Sequence, residues 1–186
     1  MRITGGIFGG RNLLVPKSDL IRPTQDRVRE ALFSILQTEL SGAKFLDLFA
    51  GSGAVGLEAL SRGASAATFV EANKKHAEIL RKNIMSFSNV SSRSNVIVKD
   101  VYSYVDNFSE SDGFDIAFAD PPYALGEEKG YARVLDTLKI RGVVRNGGLF
   151  IAEMTAVQKA EETPGWELLR DRTYGKTRIC IWRRIG

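Results

Sequence analysis

The chain has 186 residues, of which 44% are hydrophobic and 26% are charged. These values are close to the averages of globular proteins, so they argue against disordered, collagen-like and coiled-coil chains. One cysteine, Cys180, and one histidine, His76, are present, which excludes an internal disulfide framework and a Cys/His zinc cluster. A Ser-His-Asp mechanism would depend on His76, which falls within a predicted helix. Metal and acyl-transfer chemistry are therefore disfavoured from the start.

The net charge of +4 is unevenly distributed along the chain. Residues 1–29 and residues 166–186 each contain six basic and two acidic side chains, whereas residues 30–165 contain 14 basic and 18 acidic ones. Basic ends that meet in space would form a footprint for a polyanion. A solvated surface of uneven charge is the alternative, and charge alone does not separate the two.

No stretch of the sequence approaches the roughly 20 apolar residues of a membrane span. The glycine-rich start, residues 1–11, also lacks the apolar core of a signal peptide. We therefore expect a cytoplasmic protein without a membrane partner.

The elements in chain order predict an N-terminal extension, residues 1–23, followed by a domain over residues 24–186. A small β-hairpin is expected at residues 1–15, and Thr24 is expected to cap a helix that ends near residue 39. Strands are predicted at 44–49, 67–71, 95–99, 114–119 and 149–154, alternating with helices at 53–62, 73–84, 101–108 and 131–138. Two further strands, 166–172 and 177–183, are expected to form an antiparallel hairpin at the sheet edge. This alternation predicts an α/β fold with a mainly parallel seven-stranded sheet and helices on both faces.

A glycine-rich turn follows the first strand of this domain. Its three glycines, Gly51, Gly53 and Gly56, match G-x-G-x-x-G, which by itself suggests a dinucleotide pyrophosphate site. Asp47 argues otherwise, because a carboxylate near the strand end would repel a pyrophosphate and suits the ammonium group of an amino-acid moiety. The pattern resembles motif I of S-adenosylmethionine-dependent methyltransferases. The alternative is a tight strand–helix turn that binds no ligand.

Two further acids follow the next two strands. Glu71 is placed to accept hydrogen bonds from ribose hydroxyls, and Asp100 from an adenine amino group. An N-cap or surface position is the alternative for Glu71, and a helix-capping role is the alternative for Asp100. Three acids after three successive strands favour a ligand site, because ligands of open α/β sheets bind at the carboxyl ends of the strands.

The sequence Asp120-Pro121-Pro122-Tyr123 directly follows the strand 114–119. Two prolines hold the backbone extended and remove two N–H donors, which leaves the Asp120 carboxylate and the Pro121 carbonyl as acceptors. Two adjacent acceptors suit the two protons of a planar exocyclic amino group. Tyr123 adds a flat face on which a base can stack. A Pro-Pro turn without a catalytic role is the alternative.

This D-P-P-Y sequence looks like motif IV of methyltransferases that act on amino groups of adenine, cytosine or guanine. Nearly the whole chain resembles the RsmD family of small-subunit ribosomal RNA guanine-N2 methyltransferases. The residues that carry the resemblance are Met1-Arg2-Ile3, Gly10-Arg11, Arg22-Pro23-Thr24, residues 27–33, residues 46–63, residues 69–71, Phe114-Asp115, residues 120–123 and Tyr174-Gly175. Gly9 and Asn73 depart from the family pattern, the first where a basic residue is frequent and the second where an acid is common.

The resemblance implies methylation of the guanine N2 amino group in 16S ribosomal RNA, with S-adenosylmethionine as the methyl donor. It implies a cofactor site that comprises Asp47, Phe49, Ala50, Gly51, Gly53, Glu71, Ala72, Asp100, Val101 and Thr24. The expected catalytic residues are Asp120, Pro121, Pro122 and Tyr123, and no metal is expected. The expected RNA contacts are Arg2, Arg11, Arg22, Arg27, Tyr174 and Lys176, with Lys17, Arg29, Arg172 and Arg178 as further basic residues of the two ends.

The expected partner is ribosomal RNA within a small-subunit particle, bound by a monomeric protein.

Three other functions remain open. A DNA adenine or cytosine amino-methyltransferase would share D-P-P-Y but usually carries an additional target-recognition domain. A glutamine-modifying methyltransferase usually has asparagine at position 120. A non-catalytic RNA-binding domain could retain the fold of a cofactor site without using it.

Overall fold

The computed structural model of the chain describes residues 1–16, 23–109, 113–121, 131–160 and 162–186, without the side chains of residues 23–25 and 132. The chain divides into two compact units, Met1–Asp100 and Val101–Gly186. Its strands form a mainly parallel seven-stranded sheet, and helices lie between most of them in sequence. The predicted α/β class and the predicted number of strands are therefore confirmed.

The first unit alternates helices and strands around a parallel sheet of order β3-β2-β1. Its elements are α1 (Pro23–Ile35), β1 (Lys44–Leu48), α2 (Ala54–Ser61), β2 (Ala66–Val70), α3 (Lys74–Met85) and β3 (Ser94–Ile97). Four consecutive residues of β1, from Phe45 to Leu48, are buried. Because successive side chains of a strand point to opposite faces, burial of all four means that both faces of β1 are covered.

Residues 1–16, called the N-terminal segment below, fold back on themselves against the first unit. An antiparallel bridge joins Arg2 to Asn12, and the amide of Ile3 donates to the carbonyl of Arg11 at 3.0 Å. Ile3, Phe8 and Leu13 are buried, so the segment contributes to the core. Gly6 has a φ of 75°, and a side chain there would overlap the backbone of Ser61 in α2. Glycine at this position therefore permits the close approach of the segment to α2.

The second unit contains the remaining four strands in the order β4-β5-β7-β6. Its elements are α4 (Val101–Asp106), β4 (Phe114–Ala119), α5 (Tyr131–Ile140), β5 (Val144–Thr155), β6 (Trp166–Tyr174) and β7 (Thr177–Arg184). Strand β4 pairs with β5 in parallel, whereas β7 is antiparallel to both β5 and β6. The predicted C-terminal hairpin is therefore confirmed. Phe150 packs against Trp182 and Trp166, at ring-centroid distances of 5.8 and 6.3 Å, in the core of this unit.

Two predicted elements differ from the observed ones for identifiable physical reasons. Helix α1 begins at Pro23, so the prediction that Thr24 is its N-cap is wrong; proline is favoured in the first turn because its fixed φ suits a helix. The same helix ends at Ile35 rather than near residue 39, although Leu36 and Leu40 remain buried and continue the apolar period. Strand β5 begins at Val144 instead of residue 149, because Gly147 and Gly148 form an irregularity within the strand instead of ending it.

In the part of the chain that the structure describes, no helix combines the length and the apolar character that crossing a membrane requires.

Candidate active site

The turn between β1 and α2 has an unusual backbone in which three residues adopt left-handed conformations. Phe49, Gly51 and Gly53 have φ values of 63°, 54° and 81°. Such a φ is strained for a residue with a side chain such as Phe49 and occurs where surrounding contacts hold it, often at functional sites. Here the amide of Ala50 donates to the carbonyl of Val70 at 3.0 Å, and the amide of Gly53 donates to the carbonyl of Ala50 at 2.7 Å. The turn is thus anchored to β2 and closed on itself.

Asp47 secures the turn from within β1. Its side chain is 1% exposed, and Oδ2 accepts a hydrogen bond of 2.9 Å from the amide of Gly56 in the first turn of α2. A carboxylate in this place is stabilised by the unpaired amides and the positive dipole end of the helix. Burial of the Asp47 carboxylate is therefore explained by its anchoring of α2. Its predicted contact with a ligand ammonium group stays a prediction.

The three glycines of the motif have different surroundings. A side chain at Gly56 would overlap the ring of Phe69, and one at Gly53 would overlap Leu80 of α3. At Gly51 a Cβ atom would meet no atom within 4 Å. Gly56 is therefore favoured by packing against the Phe69 ring and Gly53 by its left-handed φ of 81°, whereas Gly51 borders open space.

Glu71 lies directly after β2, and its carboxylate binds the glycine turn at Gly51, on the side of the turn that borders open space. Its Oε2 accepts from the amide of Gly51 at 2.8 Å, and its Oε1 accepts from the amide of Asn73 at 2.7 Å. Glu71 is 8% exposed, and the N-cap of α3 is Asn73, whose Oδ1 accepts from the amide of Lys75 at 2.9 Å. The alternative interpretation of Glu71 as an N-cap or surface acid is therefore wrong. Each carboxylate oxygen retains a second lone pair, so Glu71 can still accept from ligand hydroxyls.

The remaining predicted cofactor residues lie at three places. Ala72 is exposed in the short connection between Glu71 and α3. Asp100 is exposed and directly precedes α4, which begins at the buried Val101, so the ligand and capping interpretations of Asp100 both stay open. Thr24 lies in the first turn of α1, and its side chain is outside the described part of the structure.

The second unit places Asp120 and Pro121 directly after the buried strand β4. Asp120 is exposed at the surface, and desolvation of its carboxyl by the surrounding protein raises the pKa of Asp120 from 3.8 to about 6. A carboxyl that solvent can reach and whose pKa is shifted is a candidate for a reacting group. Pro122 and Tyr123, the other two residues of the motif, lie outside the described residues.

Tyr131, at the start of α5, is a residue of this site that the sequence analysis missed. It is 6% exposed, and its hydroxyl donates to the carbonyl of Glu153 at 2.8 Å. Burial, together with the negative charge of Asp120, raises the pKa of Tyr131 above its usual range, so the phenol stays protonated. The only sequence signal was its place at the start of a helix eight residues after the D-P-P-Y motif, which does not distinguish it from a core tyrosine.

The predicted RNA contacts are mostly on the surface. Arg2, Arg11, Arg27 and Lys176 are exposed, and Tyr174 is half-buried at the end of β6. The guanidinium of Arg11 lies 4.5 Å from the centre of the Phe87 ring and donates to the carbonyl of Ser86 at 2.6 Å. Arg22 and Lys17 lie outside the described residues.

Two of the further basic residues form ion pairs within the protein. Arg29 is 6% exposed, and its Nε donates at 2.8 Å to Glu58, a residue with no exposed surface. Arg178 forms two hydrogen bonds, of 2.7 and 2.6 Å, with the carboxylate of Asp171. The prediction that Arg29 binds phosphate is therefore wrong, because its charge is buried and paired within the protein. For Arg178, whose side chain is 20% exposed in its ion pair, phosphate binding stays a prediction. Arg172 is exposed, as predicted for a basic residue of the chain end.

A mainly parallel sheet with an anchored glycine turn after β1 and a carboxylate after β2 is typical of a Rossmann-like fold. With the solved structures that resemble it, the chain has the Rossmann-like fold of S-adenosylmethionine-dependent methyltransferases. A candidate methyltransferase of Escherichia coli, yhhF, superposes with a TM-score of 0.84 at 33% identity and covers 100% of this chain and 98% of that one. SMU.776, a candidate methyltransferase whose crystal structure contains S-adenosylhomocysteine, superposes with a TM-score of 0.67 at 19% identity, covering 88% of this chain and 50% of that one.

The chain belongs to the family described as Conserved hypothetical protein 95, the RsmD family, which it matches over residues 1–183. This match confirms the resemblance inferred from the sequence. Relatives named Ribosomal RNA small subunit methyltransferase D are 35% identical in both Haemophilus influenzae and Escherichia coli. The alignments cover 94% of this chain and 89% of the Haemophilus protein, and 99% of this chain and 90% of the Escherichia protein.

Proposed function

We propose that this protein transfers the methyl group of S-adenosylmethionine to the exocyclic N2 amino group of a guanine in 16S small-subunit ribosomal RNA. Its family, whose relatives are named small-subunit ribosomal RNA methyltransferases, supports the substrate class. The observation that carries the proposed chemistry is the enclosed Asp120 carboxylate, followed by Pro121, at the carboxyl end of a buried strand. Such an edge offers two acceptors to an amino group that has two protons.

The methyl donor is proposed to bind at the glycine turn that follows β1. S-adenosylmethionine, when bound, supplies a methyl group carried by a positively charged sulfur. The residues present fit it: Gly51 borders open space, and Glu71 beside it has lone pairs available for the two ribose hydroxyls. Asp47 keeps the turn in place through α2, and Phe49, Ala50, Gly53, Ala72, Asp100, Val101 and Thr24 complete the proposed site.

The second unit is proposed to orient the amine. Hydrogen bonds from the N2 amino group to Asp120 and to the Pro121 carbonyl would fix its protons and favour a nitrogen whose lone pair is free to react. A C–N bond forms as the C–S bond breaks, the sulfur leaves as a neutral thioether, and the nitrogen loses one proton afterwards. Tyr123 is proposed to stack on the guanine, which must be unpaired or flipped out to reach the site.

The exposed cations are proposed to bind the phosphates of the RNA. Arg2, Arg11, Arg22, Arg27 and Lys176 carry this role, and Tyr174 is proposed as a further stacking face. We propose that a monomer acts in the cytoplasm on ribosomal RNA within a small-subunit particle. The proposed domain organisation keeps residues 1–23 as an RNA-binding extension of a methyltransferase domain formed by residues 24–186.

Isothermal titration with S-adenosylhomocysteine tests the cofactor part of the proposal. A saturable one-to-one isotherm is expected, and absence of binding would favour a non-catalytic RNA-binding domain. A labelled-methyl assay with ribosomal RNA and duplex DNA in parallel then separates the proposed activity from a DNA amino-methyltransferase. Label in DNA and not in RNA would overturn the proposed substrate class.

The pH dependence of the rate follows from the raised pKa of Asp120. Burial raises the pKa of the Asp120 carboxyl to about 6, so above that pH it is an ionised acceptor for the amino group, and below that pH it becomes protonated. We expect kcat/KM for RNA, at saturating S-adenosylmethionine, to be level above pH 7 and to fall about tenfold for each pH unit below 6. An Asp120→Asn variant should be slow and lack this inflection. A wild-type profile that stays level between pH 5 and pH 8 would contradict the role of Asp120.

The unequal surroundings of Gly51 and Gly56 predict that the same substitution mainly lowers stability at Gly56 and mainly lowers cofactor affinity at Gly51. Gly56→Ala should lower the free energy of unfolding by about 1–3 kcal/mol, because its methyl group overlaps the Phe69 ring. Gly51→Ala should cost about 1 kcal/mol through its left-handed backbone, but reduce affinity for S-adenosylhomocysteine at least about tenfold. Urea unfolding and isothermal titration measure the two effects. Unchanged affinity in Gly51→Ala would show that the open side of the turn does not bind the cofactor.

A further inference from the structure

Two buried polar side chains, Ser61 and Asn83, fasten the N-terminal segment to the first unit. Each is 2% exposed. Ser61 accepts from the amide of Phe8 at 2.9 Å and donates to the carbonyl of Gly5 at 2.6 Å. Asn83 accepts from the amide of Leu14 at 2.8 Å and donates to the carbonyl of Leu14 at 2.9 Å. Each of the two side chains thus makes two hydrogen bonds to the backbone of the segment.

Asn83 differs from Ser61 because its amide also reaches the glycine turn. Its Nδ2 donates a second hydrogen bond, of 2.8 Å, to the carbonyl of Ser52, the residue between Gly51 and Gly53. The carbonyl of Ser52 and the amide of Gly53 belong to one planar peptide group. That amide donates to the carbonyl of Ala50 at 2.7 Å, so the plane is held from both sides. Asn83 therefore contributes to the orientation of the backbone at the proposed cofactor site.

The hydrogen bonds of Asn83 make the segment and the turn depend on each other. With both partners in place, the side-chain amide uses its acceptor and both of its donor hydrogens. If the segment leaves, Asn83 loses its two bonds to Leu14, and a buried amide with unpaired groups is costly. A rotation of the Asn83 side chain that finds new partners for these groups would break its bond to the carbonyl of Ser52. The segment also touches Ser52 directly, since the hydroxyl of Ser52 lies 3.6 Å from the sulfur of Met1.

We propose that Asn83 is a positioning residue that couples RNA binding at the N-terminal segment to cofactor binding at the glycine turn. The inference rests on the proposed function, because it takes the segment as an RNA contact. Arg11 joins the segment to the residues that follow α3. RNA phosphates that bind Arg11 therefore favour the state in which the segment is packed on the first unit, called the docked state. In the docked state the Ser52–Gly53 peptide is held in place. Each ligand therefore raises the affinity for the other by the same factor, since linkage between two binding sites is reciprocal.

The test measures the affinity for labelled small-subunit ribosomal particles that lack the modification, with and without saturating S-adenosylhomocysteine. For the wild type we expect the cofactor product to tighten RNA binding about fivefold or more. Asn83→Ala should reduce this factor to about twofold or less, whereas Ser61→Ala should retain it. Ser61→Ala is the matched control, because it also removes two buried hydrogen bonds to the segment but none to the turn. Thermal unfolding of both variants shows whether they lose comparable stability.

Leu14→Pro provides a second variant if Asn83→Ala does not fold. It removes the amide that donates to Asn83, and its side chain is 56% exposed, so the core is left intact. We expect the same loss of coupling. Equal coupling in the wild type, Asn83→Ala and Leu14→Pro would overturn the inference, as would equal losses in Asn83→Ala and Ser61→Ala. A wild-type protein that binds no S-adenosylhomocysteine would instead contradict the proposed function itself.

Discussion

Asp120→Ala is expected to lower the methylation rate by about 10³-fold while affinity for S-adenosylhomocysteine stays within about twofold of the wild type. The proposed role of the carboxylate is to accept a hydrogen bond from the reacting amino group, and this bond contributes most when the nitrogen attacks. The proposed cofactor contacts do not include Asp120, so they should persist. Single-turnover transfer of labelled methyl groups to ribosomal RNA and isothermal titration measure the two quantities.

Asp115→Asn is the matched control for Asp120→Ala. It removes a carboxylate from β4, the strand that precedes Asp120, where Asp115 pairs with Arg145 and the two side chains are 19% and 61% exposed. An ion pair with one partner largely in solvent contributes little to stability, and Asp115 has no proposed part in the reaction. The control should keep near wild-type activity. Near wild-type turnover in Asp120→Ala, or equal losses in both variants, would refute the proposed role of Asp120.

Glu58→Gln is expected to destabilise the protein by about 3 kcal/mol, the largest stability effect that we predict. The carboxylate of Glu58 is fully buried and accepts hydrogen bonds from Thr4, Arg29 and Arg62, including one of 3.1 Å from the amide of Thr4. Among the described residues, a neutral amide leaves the buried Arg29 with Asp26 as its charged partner, at 3.0 Å. The amide hydrogens of the new side chain would also face the donors that surround it. Urea unfolding at pH 7 gives the change in free energy.

Asp171→Asn serves as the comparison, because Asp171 pairs with Arg178 at 2.6 Å but has a side chain 32% exposed. An ion pair of this exposure should cost less than about 1 kcal/mol when broken.

The stability that the Glu58 carboxylate contributes should also depend on pH. Burial alone would raise the pKa of Glu58, but the hydrogen bonds from Thr4, Arg29 and Arg62 hold it below its ordinary value of 4.5. The wild type should therefore lose its advantage over Glu58→Gln as the pH falls below 4.5, and an equal advantage at pH 7 and pH 3 would contradict the account.

The fold class was predictable because its signals are local. Apolar runs such as Phe45–Leu48, separated by helical periods, required a sheet covered on both faces, and the structure contains that sheet. Where a boundary was wrong, tertiary packing had overridden the local signal. Leu36 continues the helical period of α1 although the helix has ended, because the core buries it. Gly147 and Gly148 indicate a strand end but lie inside β5.

The candidate site was only partly predictable, because several of its contacts join residues far apart in sequence. The glycine turn and Glu71 were found from their spacing after successive strands. Asn83 gave no comparable signal, since its bond to Ser52 spans 31 positions and one asparagine in a helix carries no pattern. The basic end of the chain was misinterpreted at Arg29 for the same reason. Its partner Glu58 lies 29 positions away, so composition could not show that the charge is buried.

Identification of the methylated nucleoside tests the central claim most directly. Small-subunit particles and free 16S ribosomal RNA that lack the modification are incubated with the protein and labelled S-adenosylmethionine, and the RNA is digested and analysed by mass spectrometry. We predict label in N2-methylguanosine at a single position, formed in the particles by the wild type and not by Asp120→Ala. Label on adenine or cytosine, or no transfer to either RNA substrate by a protein that binds S-adenosylhomocysteine, would contradict the account.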